Sequence, residues 1–192
     1  MIVLFTAIFS TISVIEDRAT GFLQGVLVAP VPRSVIVLGK ILGGTTLALL
    51  QAMVFLLLAP LANVQLTLSV LPTIVLILTI LAFALTGLGF SIAWAMDSTQ
   101  GFHAIMNLLL IPMWILSGAV FPAAGAAGWI KAIMLINPMT YGISALRTVI
   151  PGNAMAMGSE PSLVFSVTVL LVFSAVVLFV GTILVRRTGR TK

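Results

Sequence analysis

Long uninterrupted apolar runs constrain this chain more than any other feature. Five are readable: one ending near residue 15, then 34–59, 71–96, 103–121 and 163–185, each bounded by charge, Pro or a polar cluster. A hydrocarbon core about 30 Å thick takes about 20 apolar residues in a helix. A lipid-facing backbone must satisfy its own N–H and C=O groups, which leaves helices or a closed barrel. Barrel strands alternate over about ten residues, and these runs do not alternate. With 61% hydrophobic and 7% charged residues, the expected fold is all-α, a polytopic membrane bundle of about five spans.

The first run is about 15 residues, short for a span. Met1 leads directly into Ile2-Val3-Leu4-Phe5 with no basic lead-in and no cleavage site, so it is not a signal peptide. It reads as the tail of a helix whose beginning is missing, as a late start or a fragmentary gene would leave it. The chain has no Cys, so disulfides and thiolate metal sites are excluded. Its net charge of +5 reads as topology rather than nucleic-acid binding. Arg18, Arg33, Lys40, Arg186, Arg187, Arg190 and Lys192 fall on one side of an alternating five-segment chain, and Lys131 and Arg147 on the other. Seven against two places residues 16–33 and the tail 186–192 in the cytoplasm of a cell (inner) membrane protein.

Residues 16–40 are an island of charge: Glu16, Asp17, Arg18, Arg33 and Lys40. A helix from Asp17 to Val28 places Ala19, Phe22, Leu23, Val26 and Leu27 on one face, with Asp17, Thr20, Gly21 and Gln24 largely opposite. Its acidic start suits the positive end of the helix dipole. Pro30 and Pro32 end it and force an extended turn into the next span. Two readings are open, a helix lying on the lipid surface and a helix presented to a cytoplasmic partner.

Between 118 and 160 two short apolar helices are expected, 126–136 and 138–149, with Asn137 as N-cap and Pro138 in the first turn. Neither is long enough to span, which suggests a re-entrant hairpin on the outer side. Arg147 pairs with Glu160 or anchors among headgroups. Lys40 sits near a helix end and snorkels, Asp97 marks a boundary, and the lone His103 is interfacial rather than a proton relay. Gly39, Gly43, Gly44, Thr45, Thr46, Gly87 and Gly89 allow close helix approach. Gln51 and Asn107 are amides within spans, helix glue or the best candidates for a substrate path. Four carboxylates and one His supply no metal site or catalytic dyad. No phosphate-binding loop of the G-x-x-x-x-G-K-[ST] type occurs, so no cofactor is expected, and energy for uphill transport must come from another chain.

Two ordered motifs carry a family resemblance. Glu16-Asp17-Arg18-Ala19-Thr20-Gly21-Phe22-Leu23-Gln24, then Ala29-Pro30-Val31-Pro32-Arg33 and Gly39-Lys40, resembles the cytoplasmic loop of ABC-2 type transporter permeases. Ser117-Gly118-Ala119-Val120-Phe121-Pro122, then Trp129, then Asn137-Pro138-Met139-Thr140-Tyr141 and Arg147, is similar to that family's pattern before its last span. The flavour is nearest the daunorubicin-resistance and nodulation-type permeases. The resemblance implies a six-span subunit that pairs with a second permease subunit and two cytoplasmic ATPase subunits, and exports a drug, lipid-linked glycan or other amphiphile. It implies that Glu16, Asp17, Arg18, Phe22, Leu23, Val26 and Leu27 form a coupling helix seated on the ATPase. It implies that 122–150, with Pro122, Trp129, Asn137, Pro138, Tyr141 and Arg147, forms an extracellular re-entrant region. Set against that pattern, the family's cytoplasmic amphipathic helix and first span are expected to be missing here and its second span clipped. A carrier or channel without an ATPase is the alternative; a lipid-modifying membrane enzyme lacks the acid or His cluster it would need.

Overall fold

The computed structural model describes residues 1–28, 30–62, 67–120, 127–150 and 161–188. Nine α-helices follow one another among these residues: α1 Ile2–Phe9, α2 Ile12–Ala19, α3 Phe22–Val28, α4 Arg33–Leu58, α5 Leu71–Trp94, α6 Thr99–Trp114, α7 Gly128–Ile136, α8 Pro138–Val149 and α9 Leu163–Thr188. A 3-10 turn, Ala59–Ala62, extends α4, and a π turn, Ile115–Ala119, extends α6. No strand occurs among the described residues. The protein is an all-α membrane bundle. Four helical stretches among the described residues are long and apolar enough to cross a membrane: Arg33–Leu61, Leu71–Trp94, Thr99–Ala119 and Leu163–Arg187.

The central helix is α5. Its apolar window is 61% buried, against 28%, 28% and 22% in the other three. It packs on α1, α4, α8 and α9. Ile74, Leu81, Leu85 and Phe90 are sealed inside. Along 24 residues α5 carries only one Pro, at its start, where the missing N–H is not needed.

Several expected boundaries move. The first apolar run is two eight-residue helices rather than one partial span, broken at Ser10–Thr11. Hydroxyls compete with the helix there. Thr11 Oγ1 donates to Ile8 O at 2.6 Å and Ser10 Oγ to Ala7 O at 2.8 Å, and the backbone tightens to i→i+3 bonds, Thr11 N to Ile8 O and Val14 N to Thr11 O. The helix expected over 17–28 is also two. α2 ends at Ala19, and Gly21 turns the chain at φ +79° before α3 starts at Phe22. Asp17 therefore sits in the last turn of α2, not at the start of a docking helix, and the dipole argument for the acids fails. α6 begins at Thr99, four residues before the expected 103, because Ser98 caps it and accepts from Gly101 N at 3.3 Å. α5 stops at Trp94, short of 96, and α9 continues to Thr188, past 185.

Two glycines make room for the α1–α2 break. A Cβ at Gly44 of α4 would lie 2.3 Å from Ser10 Oγ, and one at Gly89 of α5 would lie 3.1 Å from the Ile8 Cα. The second clash is with backbone, which no rotamer change relieves. Nothing lies within 4 Å of a Cβ at Gly43. Gly89→Ala is expected to lower the thermal midpoint in detergent, at a cost of about 1–3 kcal/mol for overpacking. Gly43→Ala should leave it unchanged or raise it through helix propensity. Equal midpoints for the two variants would show that the break does not rest on α5.

Candidate functional site

The two sequence motifs lie at opposite ends of the bundle, and each is built by polar contacts between elements. At the island end, α2 delivers adjacent charges to two different helices. Asp17 forms an ion pair with Lys40, one to two turns into α4, and both side chains are mostly covered. Arg18 reaches the carboxyl end of α5. Its guanidinium donates to Trp94 O at 2.5 Å and, at a longer 3.4 Å, to Met96 O. It pairs with Asp97 at 3.0 Å and lies 5.1 Å from the centre of the Trp94 ring. Carbonyls left free at a helix C-terminus favour a cation, and the indole face adds to this. Lys40 is thus paired rather than snorkelling, and Asp97 marks the boundary as expected while also anchoring Arg18.

Beyond Gly21, α3 splits the face expected to act as one surface. Phe22 is 61% exposed and Val28 86%, whereas Leu23 is 3% exposed and belongs to the core. Phe22, Gly25 and Val28 recur at i, i+3 and i+6 on the outer side. Leu23 and Val26 turn inward, onto a groove of about 480 Å³ that Ser10, Ser13, Gly39 and Lys40 also line, with the exposed Phe22 at its edge. The side chain of Leu27 lies outside the described residues. Glu16 is exposed, whereas Asp17 and Arg18 are half-buried and committed to α4 and α5.

The far end is organised around a break in α6. The helix runs through Pro112, which has no N–H for Leu108 O, and beyond Trp114 it widens to the π turn Ile115–Ala119, inside which Gly118 leaves helical geometry at φ +83°. Side chains from the α7–α8 hairpin take up the carbonyls this exposes. Asn137 Nδ2 donates to Met113 O at 2.6 Å while its Oδ1 caps α8, accepting from Met139 N at 3.0 Å. Arg147 donates to Gly118 O at 2.7 Å. Tyr141 OH donates back to Leu135 O of α7 at 2.7 Å, and its ring meets Phe165 of α9 at 6.0 Å. Pro138 is buried at the start of α8. Trp129 on α7 is 68% exposed and turned outward. Pro122 and Glu160 lie outside the described residues.

The two amides proposed for a substrate path are not joined. Gln51 of α4 meets the hydroxyl of Thr6 on α1, and Asn107 is exposed on α6. Both helices pack on α1. His103 lies with its ring 5.2 Å from that of Phe9, an aromatic contact to α1. Sequence reasoning missed Trp94 as the platform for Arg18 and missed the π turn at Ile115–Ala119. A signal for the first was present: acids and bases alternate among Asp17, Arg18, Lys40 and Asp97, all at one end of their helices.

Asn137→Ala removes both the cap and the donor to Met113 O. The cap is worth about 1 kcal/mol, and an orphaned buried carbonyl costs about 1–3 kcal/mol more. Asn137→Asp keeps the acceptor for Met139 N and loses the donor. The thermal midpoint should fall in both, further in the Ala variant if the cap dominates. An Ala variant as stable as the parent would show that the hairpin is held by other contacts.

The family model described as ABC-2 type transporter matches residues 1–150. That range takes in the island, α1 to α8 and both motifs. Among curated proteins none matches the sequence. With both motifs inside the match and an all-helical bundle carrying them, the chain belongs to the ABC-2 type transporter family, as the membrane permease subunit of an ABC transporter.

Proposed function

We propose that this chain is the membrane subunit of an ATP-driven exporter, and that α3 is the element that docks on a separate ABC ATPase. The observation that carries this is α3 itself. It is a seven-residue helix outside the four long spans, with an outward apolar side at Phe22 and Val28. Members of the family work with an ABC ATPase, and an exposed aromatic on a short helix is what a groove on such a partner recognises. The functional complex is two permease subunits, alike or different, on a pair of ATPase subunits. ATP hydrolysis belongs to the partner chain. The cargo is a drug, lipid-linked glycan or other amphiphile, carried outward.

The orientation follows from charge. Arg18, Arg33 and Lys40 cluster at the island end, where Arg186 and Arg187 close α9. That end is cytoplasmic by the excess of Lys and Arg, in the cell (inner) membrane, and the α7–α8 hairpin is then the outer, re-entrant region. The chain has no Cys, so single-cysteine labelling reads orientation cleanly. In spheroplasts an impermeant maleimide should label Trp129→Cys directly and Val28→Cys only after lysis. The reverse pattern would invert the topology and remove α3 from reach of any ATPase.

The docking role has a sharper test because Phe22 and Leu23 differ. Leu23→Asp buries a charge and is expected to unfold the island end. Phe22→Asp, at an exposed site, should leave insertion and the thermal midpoint intact. It should weaken binding of the cognate ATPase by about 2 kcal/mol, roughly 30-fold, and reduce ATP-dependent transport with it. Unchanged ATPase affinity in a well-inserted Phe22→Asp variant would rule α3 out as the docking helix.

A further inference from the structure

A docking helix moves nothing unless its displacement reaches the spans, and α3 is poorly connected to them through its own backbone. Gly21, at φ +79°, joins it to α2, and Pro30 and Pro32 follow it before α4. Across that turn α3 packs back on α2, so a displacement of α3 is passed to α2 by packing rather than through a continuous helix. The rigid attachment lies one turn earlier, at Arg18. Its four contacts all go to the carboxyl end of α5: Trp94 O, Met96 O, Asp97 and the Trp94 ring. The neighbouring pair, Asp17 with Lys40, goes to α4, a more peripheral helix.

We infer that Arg18 is the positioning residue that transmits motion of the docking helix into α5, and through α5 to the outer hairpin. α5 is suited to this. It is an unbroken helix of 24 residues, about 36 Å long at 1.5 Å per residue, and it is the most buried of the four spans. Near its midpoint Leu81 presses on α8: a Cβ at Gly142 would come within 2.7 Å of Leu81 Cδ2. Close-packed interiors transmit displacement rather than absorbing it. Displacing the end of α5 therefore displaces α8, and Arg147 of α8 holds the Gly118 carbonyl at the broken end of α6. Arg18 is thus turned inward, and it is not part of the surface the ATPase touches. Arginine suits the place because its planar fork serves two carbonyls and a carboxylate while stacking on an indole; lysine cannot do all of this.

This inference rests on the permease reading, and the test separates the two. The absence of Cys permits spin-label pairs in the full complex with its ATPase in lipid nanodiscs. One pair, Val28→Cys with Arg187→Cys, reports the island end. The other, Leu61→Cys with Thr148→Cys, reports the far end. Distances are measured without nucleotide and with ATP plus orthovanadate. In the parent both pairs should shift. In Arg18→Gln the island pair should still shift and the far pair should not. Arg18→Lys, which keeps the charge opposite Asp97, should give a partial far-end shift. A far pair that moves in Arg18→Gln as in the parent overturns the inference. So does a variant that loses both shifts together with thermal stability while Arg18→Lys restores both, since that is a purely structural role. If neither pair responds to nucleotide in the parent, the ATPase reading falls first and this inference with it.

Discussion

A carbonyl released in hydrocarbon finds no water, so every interruption of a buried helix must be answered by a donor from the protein. Two such interruptions stand out among the described residues. At Ser10–Thr11 the answer is local: the hydroxyls of Ser10 and Thr11 bond back to the preceding turn. At the π turn Ile115–Ala119 the answer comes from far along the chain, from Asn137 and Arg147. The difference decides what each break can do. A locally satisfied kink is a bend in a fixed bundle. A break whose carbonyls are held by another element ties the two together, so that α6 cannot straighten or shift without the hairpin. The far-end motif Ser117-Gly118, Asn137-Pro138, Tyr141 and Arg147 is therefore one structural unit, although some 20 residues separate its halves.

Charge is used with the same economy at the other end. Of the five charges in residues 16–40, three are engaged in holding α2 to α4 and α5: Asp17, Arg18 and Lys40. Exposed ion pairs contribute little stability, and Asp97 is 92% exposed. The carbonyls of Trp94 and Met96 and the indole face, all partly covered, do more to hold Arg18 than its formal partner does. That ranking matters functionally. A link made only by a surface ion pair would be screened by salt, whereas helix-end carbonyls and a ring stay in place.

Much of this was legible in the sequence, and the parts that were not share a cause. The four long spans follow from unbroken apolar runs, and Asn137 as a cap with Pro138 behind it follows from the chemistry of helix starts; both stand in the structure. The helix expected over 17–28 is where periodicity misled. Ala19, Phe22, Leu23 and Val26 keep helical spacing across Gly21, but glycine lets the chain turn without disturbing the apolar count. The pairing of Phe22 with Leu23 as one surface failed for the same reason. A seven-residue helix lying against its own bundle buries one of two adjacent side chains and exposes the other. The partners of Arg18 and Arg147 were out of reach because spacing along the chain says nothing about which carbonyl a guanidinium meets.

These elements form a connected path from one end of the bundle to the other. Phe22 lies on α3, which turns at Gly21 and packs back on α2, and Arg18 fastens α2 to α5. Leu81 of α5 fills the hollow at Gly142 of α8, and Arg147 of α8 holds the last turn of α6. After the turn at Gly21 each step is a side chain against a carbonyl, a ring or the backbone of a close-packed glycine. The groove beside α3 fits the same geometry. Phe22, Leu23 and Val26 line one wall, and Gly39 and Lys40 of α4 line the other. The width of that groove is set by how α3 sits against α4, and α4 is in turn anchored through Lys40 to Asp17 of α2, so the island end is held as one packed unit on both α4 and α5.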